Sequence, residues 1–576
     1  MKKYKKHIVL KISDSLKLSE SVDVNSEEIE SSIVIPPSDN MGDLAFPCFT
    51  LAKTLRKSPQ AIALDLQNKI IPGDLIEKIE ADGPYLNFFF RPSSLIADVI
   101  AEISKSKDDY GRSEIGAGAR VVVEYSSPNI AKPFGIGHLR STVIGAALER
   151  IYRLLGYDVI GINHLGDWGA QFGKLLYAYK RWGDDLLLQK NPIEHLYGIY
   201  VRVHREEETD PEIAAAARDE FKKLEDGDPE NLAIWRIFSD LSKKEFAKIY
   251  DILGVKFDSE AGESFYVDKI AATEKILKDR GLLSESRDAV IVDLDKFDMP
   301  PMLIRKSDDT TLYATRDLAA AIYRKEKYGF QTMLYVVGVA QSLYFRQLFK
   351  VLELMGFEWA RNCHHVSFGW VKLGDEMMST RRGNIVFLDE VIARTIEKTR
   401  NIIRENNPEP PYGDRIAEGV GIGAVVFADL AYKRDSDISF DWEKMLDFKG
   451  YSGPYLQYSH ARICSVLRKY GRPVPEDYDS GLLKLPEEYS MAKKLAAYPH
   501  IIIKAANEYE PQYISTFLLE LCGLFNTYYQ RYRSPEDRIL SSDEGTAKSR
   551  VALTDCVRIV LRSGLELLGL SAPEMM

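Results

Sequence analysis

Three short stretches of the 576-residue chain carry side chains whose types and spacing suit phosphate and cation chemistry. The first is PFGIGHLRST, residues 133–142, lying between an apolar run, VVVEY, and a helix-like run, TVIGAALERIYRLLG. A glycine-bearing turn from strand to helix is a common seat for phosphate, because backbone N–H groups and the helix dipole both face the ligand. The second is EMMSTRRGN, residues 376–384, where Met378, Ser379, Thr380, Arg381 and Arg382 stand beside Gly383. A basic, hydroxyl-rich loop can close over a triphosphate and neutralise departing pyrophosphate, although such a loop alone also reads as a solvated turn. The third is a pair of acids. Glu124 ends VVVEY, and Asp317 is expected in a strand-to-helix turn, with Tyr313 one helical turn before it. Carboxylates with an aromatic face suit a guanidinium, which presents five donors in a planar fork. The plainer alternative is that Asp317 caps a helix and Glu124 pairs with a local arginine.

The glycines of PFGIGHLRST fit neither of the commonest phosphate loops. A P-loop needs GxxxxGK[ST], and no lysine follows here. A dinucleotide fold needs GxGxxG, but Arg140 stands where the third glycine belongs, and Asp158 opens the second strand instead of ending it. A third arrangement fits better: Gly137 lets the backbone approach a nucleotide, and His138 at the helix start donates to phosphate or ribose. A tight turn with a satisfied histidine remains open.

These residues need a scaffold, and the pattern from residue 121 supplies one. VVVEY has the continuous apolar character of a strand in a parallel sheet. Ile144, Leu148, Ile151 and Leu155 then form one apolar helix face, Gly156 can end that helix, and DVIGIN reads as the next strand. Such βαβ units build doubly wound sheets that bind ligands at the carboxyl ends of their strands. Asn163, His164, Asp167, Trp168 and Gln171 of INHLGDWGAQFG crowd the end of the second strand, although Asp167 also suits a cap and Trp168 a core. Residues 1–110 read as a small α+β unit, with a linker over 104–120. Residues 180–290 read as a charged, helix-prone insertion, and residues beyond about 440 as a helical bundle.

Composition narrows the class further. Hydrophobic residues make up 45% and charged residues 28%, as in ordinary globular chains. No run reaches membrane-span length, and MKKYKKHIVLKIS lacks the apolar stretch of a signal peptide, so a cytoplasmic location is expected. The five cysteines are scattered and form no CxxC pair, so neither a disulfide framework nor a zinc site is indicated. Adjacent His364 and His365 would face opposite sides of a strand, which disfavours a shared metal. The net charge of −10 does not exclude nucleic acid, because binding depends on local patches.

Taken in order, EYSSPNIAKPFGIGHLRSTVIG, INHLGDWGAQFGKL, LYATRDLAAAIYR and MMSTRRGN resemble the arginyl-tRNA synthetases, a class I family. YLQYSHARICSVLRK is similar to that family's anticodon-binding domain, and MGDLAFP and GPYLNFFF to its extra N-terminal domain. The resemblance implies an α/β, Rossmann-like doubly wound catalytic domain over 111–440 with an inserted helical region. An N-terminal α+β domain over 1–110 and a C-terminal all-α bundle over 441–576 would flank it, with 376–384 as a mobile loop. The implied reaction attaches L-arginine to its tRNA through arginyl-adenylate, with ATP as substrate, magnesium accompanying ATP, and arginine activation needing bound tRNA. A monomer is expected.

The resemblance also carries roles to particular positions. His138, Gly137 and Gly135 fall in the family's His-x-Gly-His motif, whose first histidine is here Gly135. Lys132 is the lysine thought to supply charge that the second motif lacks, since only Met378 and Ser379 of that motif match. Arginine-binding positions match at Glu124, Asn129, Tyr313, Asp317 and Gln341, and ATP contacts are implied for Gly137, His138, Met378, Ser379, Arg381 and Arg382. For tRNA the candidates are Asn87 and Phe90, then Tyr455, Tyr458, Tyr528, Arg531 and Met576, since aromatic faces stack bases and arginines meet phosphates. Rival readings are another class I synthetase or nucleotidyl transferase, and a non-catalytic RNA-binding relative, which Gly135 would favour.

Overall fold

The computed structural model describes residues 1–576 apart from 21–23, 287–288, 306–312, 374–375, 378–386, 407–412 and 440. It divides into two compact units. One contains Met1–Tyr110, Arg462–His500 and Glu520–Ser563, and the other Gly111–Ala461, Ile501–Leu519 and Gly564–Met576. The C-terminal helices, expected as one bundle over 441–576, are thus shared between the two units.

In the first unit, Tyr85–Phe90 is the central strand of an antiparallel sheet, between Leu44–Pro47 and Ile76–Asp82. The opening helix Lys2–Glu20 buries Tyr4, Ile8, Ile12 and Leu16, spaced four residues apart as one apolar face requires. Tyr4 lays its ring on Phe90 at 4.3 Å between centroids. Buried Asp43 accepts from Phe90 N–H at 2.8 Å and from Tyr489 Oη at 2.7 Å, and pairs with Lys493 at 3.0 Å. These bonds join the N-terminal sheet to the helix Pro486–Asn507 within the unit.

The second unit is built on a four-stranded parallel sheet in the order Cys363–His365, Thr332–Tyr335, Arg120–Glu124, Asp158–Ile162. The helix Ile136–Leu154 links the last two strands, so VVVEY, the helix and DVIGIN form the βαβ unit read from sequence. Glu124 stands level with Ile162 and Tyr335 at the carboxyl edge. Later strands lie on the other side of Arg120–Glu124, so chain order reverses there and a ligand crevice is expected at that edge. The insertion is helical through Asp185–Lys190, Pro192–Glu207, Glu212–Glu225 and Pro229–Leu253. It then adds an antiparallel sheet of Leu283–Ser286, Ala289–Val292 and Met302–Arg305, which the charged, weakly patterned sequence did not reveal.

Close packing of the helix Ile136–Leu154 depends on Gly145, where a Cβ would lie 2.2 Å from Tyr125 Cβ. Gly145→Ala should therefore lower stability by about 1–3 kcal/mol, because backbone must move to relieve the overlap. Urea unfolding would read this, and an unchanged midpoint would contradict it.

Candidate active site

The loop leaving Glu124 holds Ser126, Ser127 and Ala131 in the left-handed region, at φ 69°, 49° and 59°. Such conformations cost of order 1–2 kcal/mol per residue and persist only when the surroundings fix them. Here Ser126 N–H donates to Ser141 Oγ at 2.9 Å, Ser127 N–H to Asn163 Oδ1 at 3.1 Å, and Ala131 N–H to Ser242 Oγ at 2.8 Å. Three serine or asparagine side chains thus shape the turn that leads into PFGIGHLRST.

Gly135 precedes the helix Ile136–Leu154 with extended backbone (φ −87°, ψ 167°) that any residue adopts. Its N–H donates to His138 Nδ1 at 3.2 Å, which places the ring proton on Nε2 and makes that atom a donor. Burial and the nearby Lys132 charge hold the imidazole down at about 4, so it is neutral at pH 7. Gly137 is exposed, and a Cβ there would meet nothing within 4 Å, so the space beside it is open. A cavity of about 120 Å³ adjoins it, lined by Arg140, Gly338, Val339, Phe368 and Trp370 among others.

Arg140, in the place of the third dinucleotide glycine, has a different task. It is 1% exposed, pairs with Asp429 at 3.1 Å, and donates to the Ser436 carbonyl at 2.8 Å. That ties the helix to the segment before Ile438–Ser439, a strand that pairs with Val371–Leu373. Val371–Leu373 pairs in turn with Glu376–Met377 at the start of the basic loop. Met378, Ser379, Arg381 and Arg382 lie outside the described residues.

Lys132 Nζ donates to Gln171 Oε1 at 2.8 Å and stands over the Tyr200 ring at 4.9 Å. Gln171 Nε2 donates onward to Asn129 Oδ1 at 3.2 Å. Asn129 approaches Gly166 so closely that a Cβ at 166 would lie 2.3 Å from Asn129 Oδ1. The EYSSPNIAKPFGIGHLRSTVIG and INHLGDWGAQFGKL stretches therefore meet through side chains.

The acids lie at the carboxyl edge, but their surroundings differ from the expectation. Asp317 sits inside the helix Tyr313–Tyr328, neither in a strand-to-helix turn nor at a cap. It accepts from Tyr344 Oη and lies 3.5 Å from His164 Nε2. Burial pulls His164 down, but the nearby Asp317 carboxylate and the Glu124 charge outweigh it and raise the imidazole above its ordinary value. Glu124 Oε2 already accepts from buried Arg324, so the carboxylate has an internal guanidinium partner before any ligand arrives. Tyr313 opens the same helix, and only its backbone is described. Gln341 is exposed at the end of the turn Val339–Gln341.

Asp167 and Trp168 take structural places. Asp167 accepts from Ser264 N–H at 2.8 Å and from Ser264 Oγ at 2.7 Å, and Trp168 packs edge-on against Trp235. Sequence reasoning missed Glu263, Arg316, Arg324 and Tyr344. Arg324 was within reach of it, because it lies seven residues after Asp317 and so on the same helical face. Glu263 was not, since it lies in the insertion. It pairs with Arg316 at 3.0 Å, yet burial pushes it up to about 7 from 4.5. Between those two values the folded chain keeps a proton that the unfolded chain releases, so this group makes stability fall as pH rises. Glu263→Gln should flatten that fall between about pH 5 and 7. Melting midpoints across the range would check it, and an unaltered slope would contradict it.

Three of the tRNA candidates are buried. Asn87 and Phe90 are 5% and 2% exposed inside the N-terminal sheet. Tyr528 is also buried, its hydroxyl donating to Glu488 Oε1 at 3.1 Å beside Arg550. The outward ring on that helix is Tyr529, with the Arg462 guanidinium 5.4 Å from its centroid. Arg531 is exposed and pairs with Glu487 at 2.7 Å, Tyr458 is exposed, and Tyr455 and Met576 are half-buried.

Residues 100–442 match the family described as tRNA synthetases class I (R), catalytic domain. Residues 456–576 match the DALR anticodon binding domain, and residues 2–90 the arginyl tRNA synthetase N terminal domain. A Clostridium botulinum (strain Okra) arginine–tRNA ligase is 48% identical over 562 residues, 97% of this chain and 98% of its own. The Clostridium acetobutylicum arginine–tRNA ligase is 45% identical over 560 residues, covering 97% of this chain and 98% of its own. Among solved structures, Thermus thermophilus arginyl-tRNA synthetase superposes with a TM-score of 0.80 at 26% identity, covering 99% of this chain and 100% of its own. The parallel sheet and its motif-bearing helix are thus those of a class I aminoacyl-tRNA synthetase. Within that class, the chain belongs to the arginyl-tRNA synthetase family.

Proposed function

We infer that the protein is an arginine–tRNA ligase that activates L-arginine with ATP as arginyl-adenylate and then passes the arginyl group to the terminal ribose of its tRNA, releasing AMP. The observation that carries the site assignment is the neutral His138 with Nε2 as donor, set at a helix start beside Lys132 and the open face of Gly137. ATP lies along that helix start. The arginine carboxylate attacks the α-phosphorus in line, the bond to the bridging oxygen breaks, and pyrophosphate leaves. His138 Nε2–H and the Lys132 ammonium meet the charge that develops on phosphate oxygens, and the backbone at Gly137 lets them approach. The basic residues Arg381 and Arg382 serve the leaving pyrophosphate.

Asp317 and Glu124 take the substrate guanidinium, with Asn129, Tyr313 and Gln341 around the rest of the amino acid. Magnesium bound with ATP would spread the phosphate charge. Among the described residues, no group of three or more His, Cys, Asp or Glu side chains could hold a metal ion. No described helix is long and apolar enough to cross a membrane. A monomer in the cytoplasm, with domains over 1–110, 111–440 and 441–576, completes the reading. For tRNA, exposed Tyr529, Tyr458, Arg531 and Arg533 offer the stacking faces and cations that Asn87, Phe90 and Tyr528 do not.

Transfer of labelled arginine to tRNA tests this reading. Acid-precipitable label that requires ATP and is not competed by citrulline, which is neutral, supports it. Citrulline competing as well as arginine would overturn the carboxylate assignment.

A further inference from the structure

We propose that Arg324 is a positioning residue for amino-acid recognition, holding the Glu124 carboxylate in one plane so that its free edge meets the substrate guanidinium. The proposal rests on the reading that Glu124 contacts arginine.

Arg324 and Glu124 have side chains only 1% and 7% exposed. A buried ion pair is weak as a device for stability, because desolvation of both groups offsets their attraction. An apolar pair would serve the core at least as well, so the pair invites a reason in the site. Its placement supplies one. Glu124 ends one of the two inner strands of the sheet, level with Tyr335 at the end of the other. Arg324 Nη1 donates to Oε2, and its guanidinium lies 5.7 Å from the Tyr266 ring centroid and 5.9 Å from that of Tyr335. With Oε2 held by this buried donor, rotation of the carboxylate is restrained and Oε1 is left for a second donor.

The helix Tyr313–Tyr328 carries both Asp317 and Arg324, two turns apart on one face. His164, which lies 3.5 Å from Asp317, also feels the charges of Glu124 and Arg324, so the four groups form one cluster. A single rigid helix therefore sets one acid directly and fixes the plane of the other through its arginine. Two carboxylates in fixed planes match a planar fork of N–H donors better than they match a compact ammonium.

Steady-state kinetics on the full chain with tRNA present provides the test, using Arg324→Met, Arg324→Lys and Glu124→Gln. Arg324→Met should raise the KM for arginine by about a hundredfold, and Arg324→Lys by about tenfold, with the KM for ATP within about twofold of its starting value. If Arg324→Met does not fold, Arg324→Lys, which keeps the charge but not the fork, decides alone. Arginine and ATP KM values rising together would overturn the proposal, since that is what a merely structural role produces. So would both staying unchanged. Glu124→Gln separates the two ideas. If it raises the arginine KM while the Arg324 variants do not, the contact stands and the positioning role falls. If it has no effect, the contact falls too and takes the proposal with it.

Discussion

His138→Ala is expected to slow arginine activation by about 10²- to 10³-fold while leaving the arginine KM near its starting value. The size follows from losing one preorganised donor aimed at developing phosphate charge. The direction follows from the ring's state. Its Nδ1 accepts from Gly135 N–H, so Nε2 carries the only ring proton and is the atom that can donate. Burial and Lys132 keep the ring neutral near pH 7, so no protonation step precedes its use. His138→Asn retains an N–H donor of shorter reach and should recover part of the loss. Single-turnover adenylate formation would read both variants. A His138→Ala rate within a few fold of the parent would remove the histidine from the reaction.

Asp317→Asn should raise the arginine KM by about 10²- to 10³-fold, the second large effect. The change is nearly isosteric, and an amide oxygen can still accept from Tyr344 Oη, so the local fold is preserved. What disappears is the negative charge proposed to meet the substrate guanidinium, and loss of one partner of a buried charge pair costs about 2–5 kcal/mol. His164 loses the partner that raises it and should become neutral at lower pH than in the parent. The same initial-rate assay checks the prediction, and an arginine KM unchanged with kcat lowered would place Asp317 in the chemistry instead of in recognition.

Much of the fold was legible because short-range patterns decide it. Val121, Val122 and Val123 form a run buried in a parallel sheet, and the four-residue spacing of the next helix gives one packed face. The motif residues were legible by type, and His138 stands where the sequence put it. The left-handed turns at Ser126, Ser127 and Ala131 were not legible, since no glycine marks them and distant Asn163, Ser141 and Ser242 hold them. Nor was the partner of Glu124, which lies 200 residues away in the chain. Asn87 and Tyr528 misled for a common reason. Each has a polar or hydroxyl group by type, while tertiary packing turns it inward. Tyr528 and Tyr529 are adjacent in a helix, so one faces Glu488 and the other faces out. Aromatic content alone does not say which.

Gly135 bears on the central claim more than any other position. Its backbone is extended, a conformation any residue adopts, so Gly135→His adds a donor without backbone strain. The decisive measurement is ATP–pyrophosphate exchange with arginine, with and without tRNA, on the natural chain and on Gly135→His. The account predicts arginine-dependent exchange by the natural chain when tRNA is present, with Gly135→His at least as fast. No exchange from either protein, under conditions where tRNA binds, would contradict it.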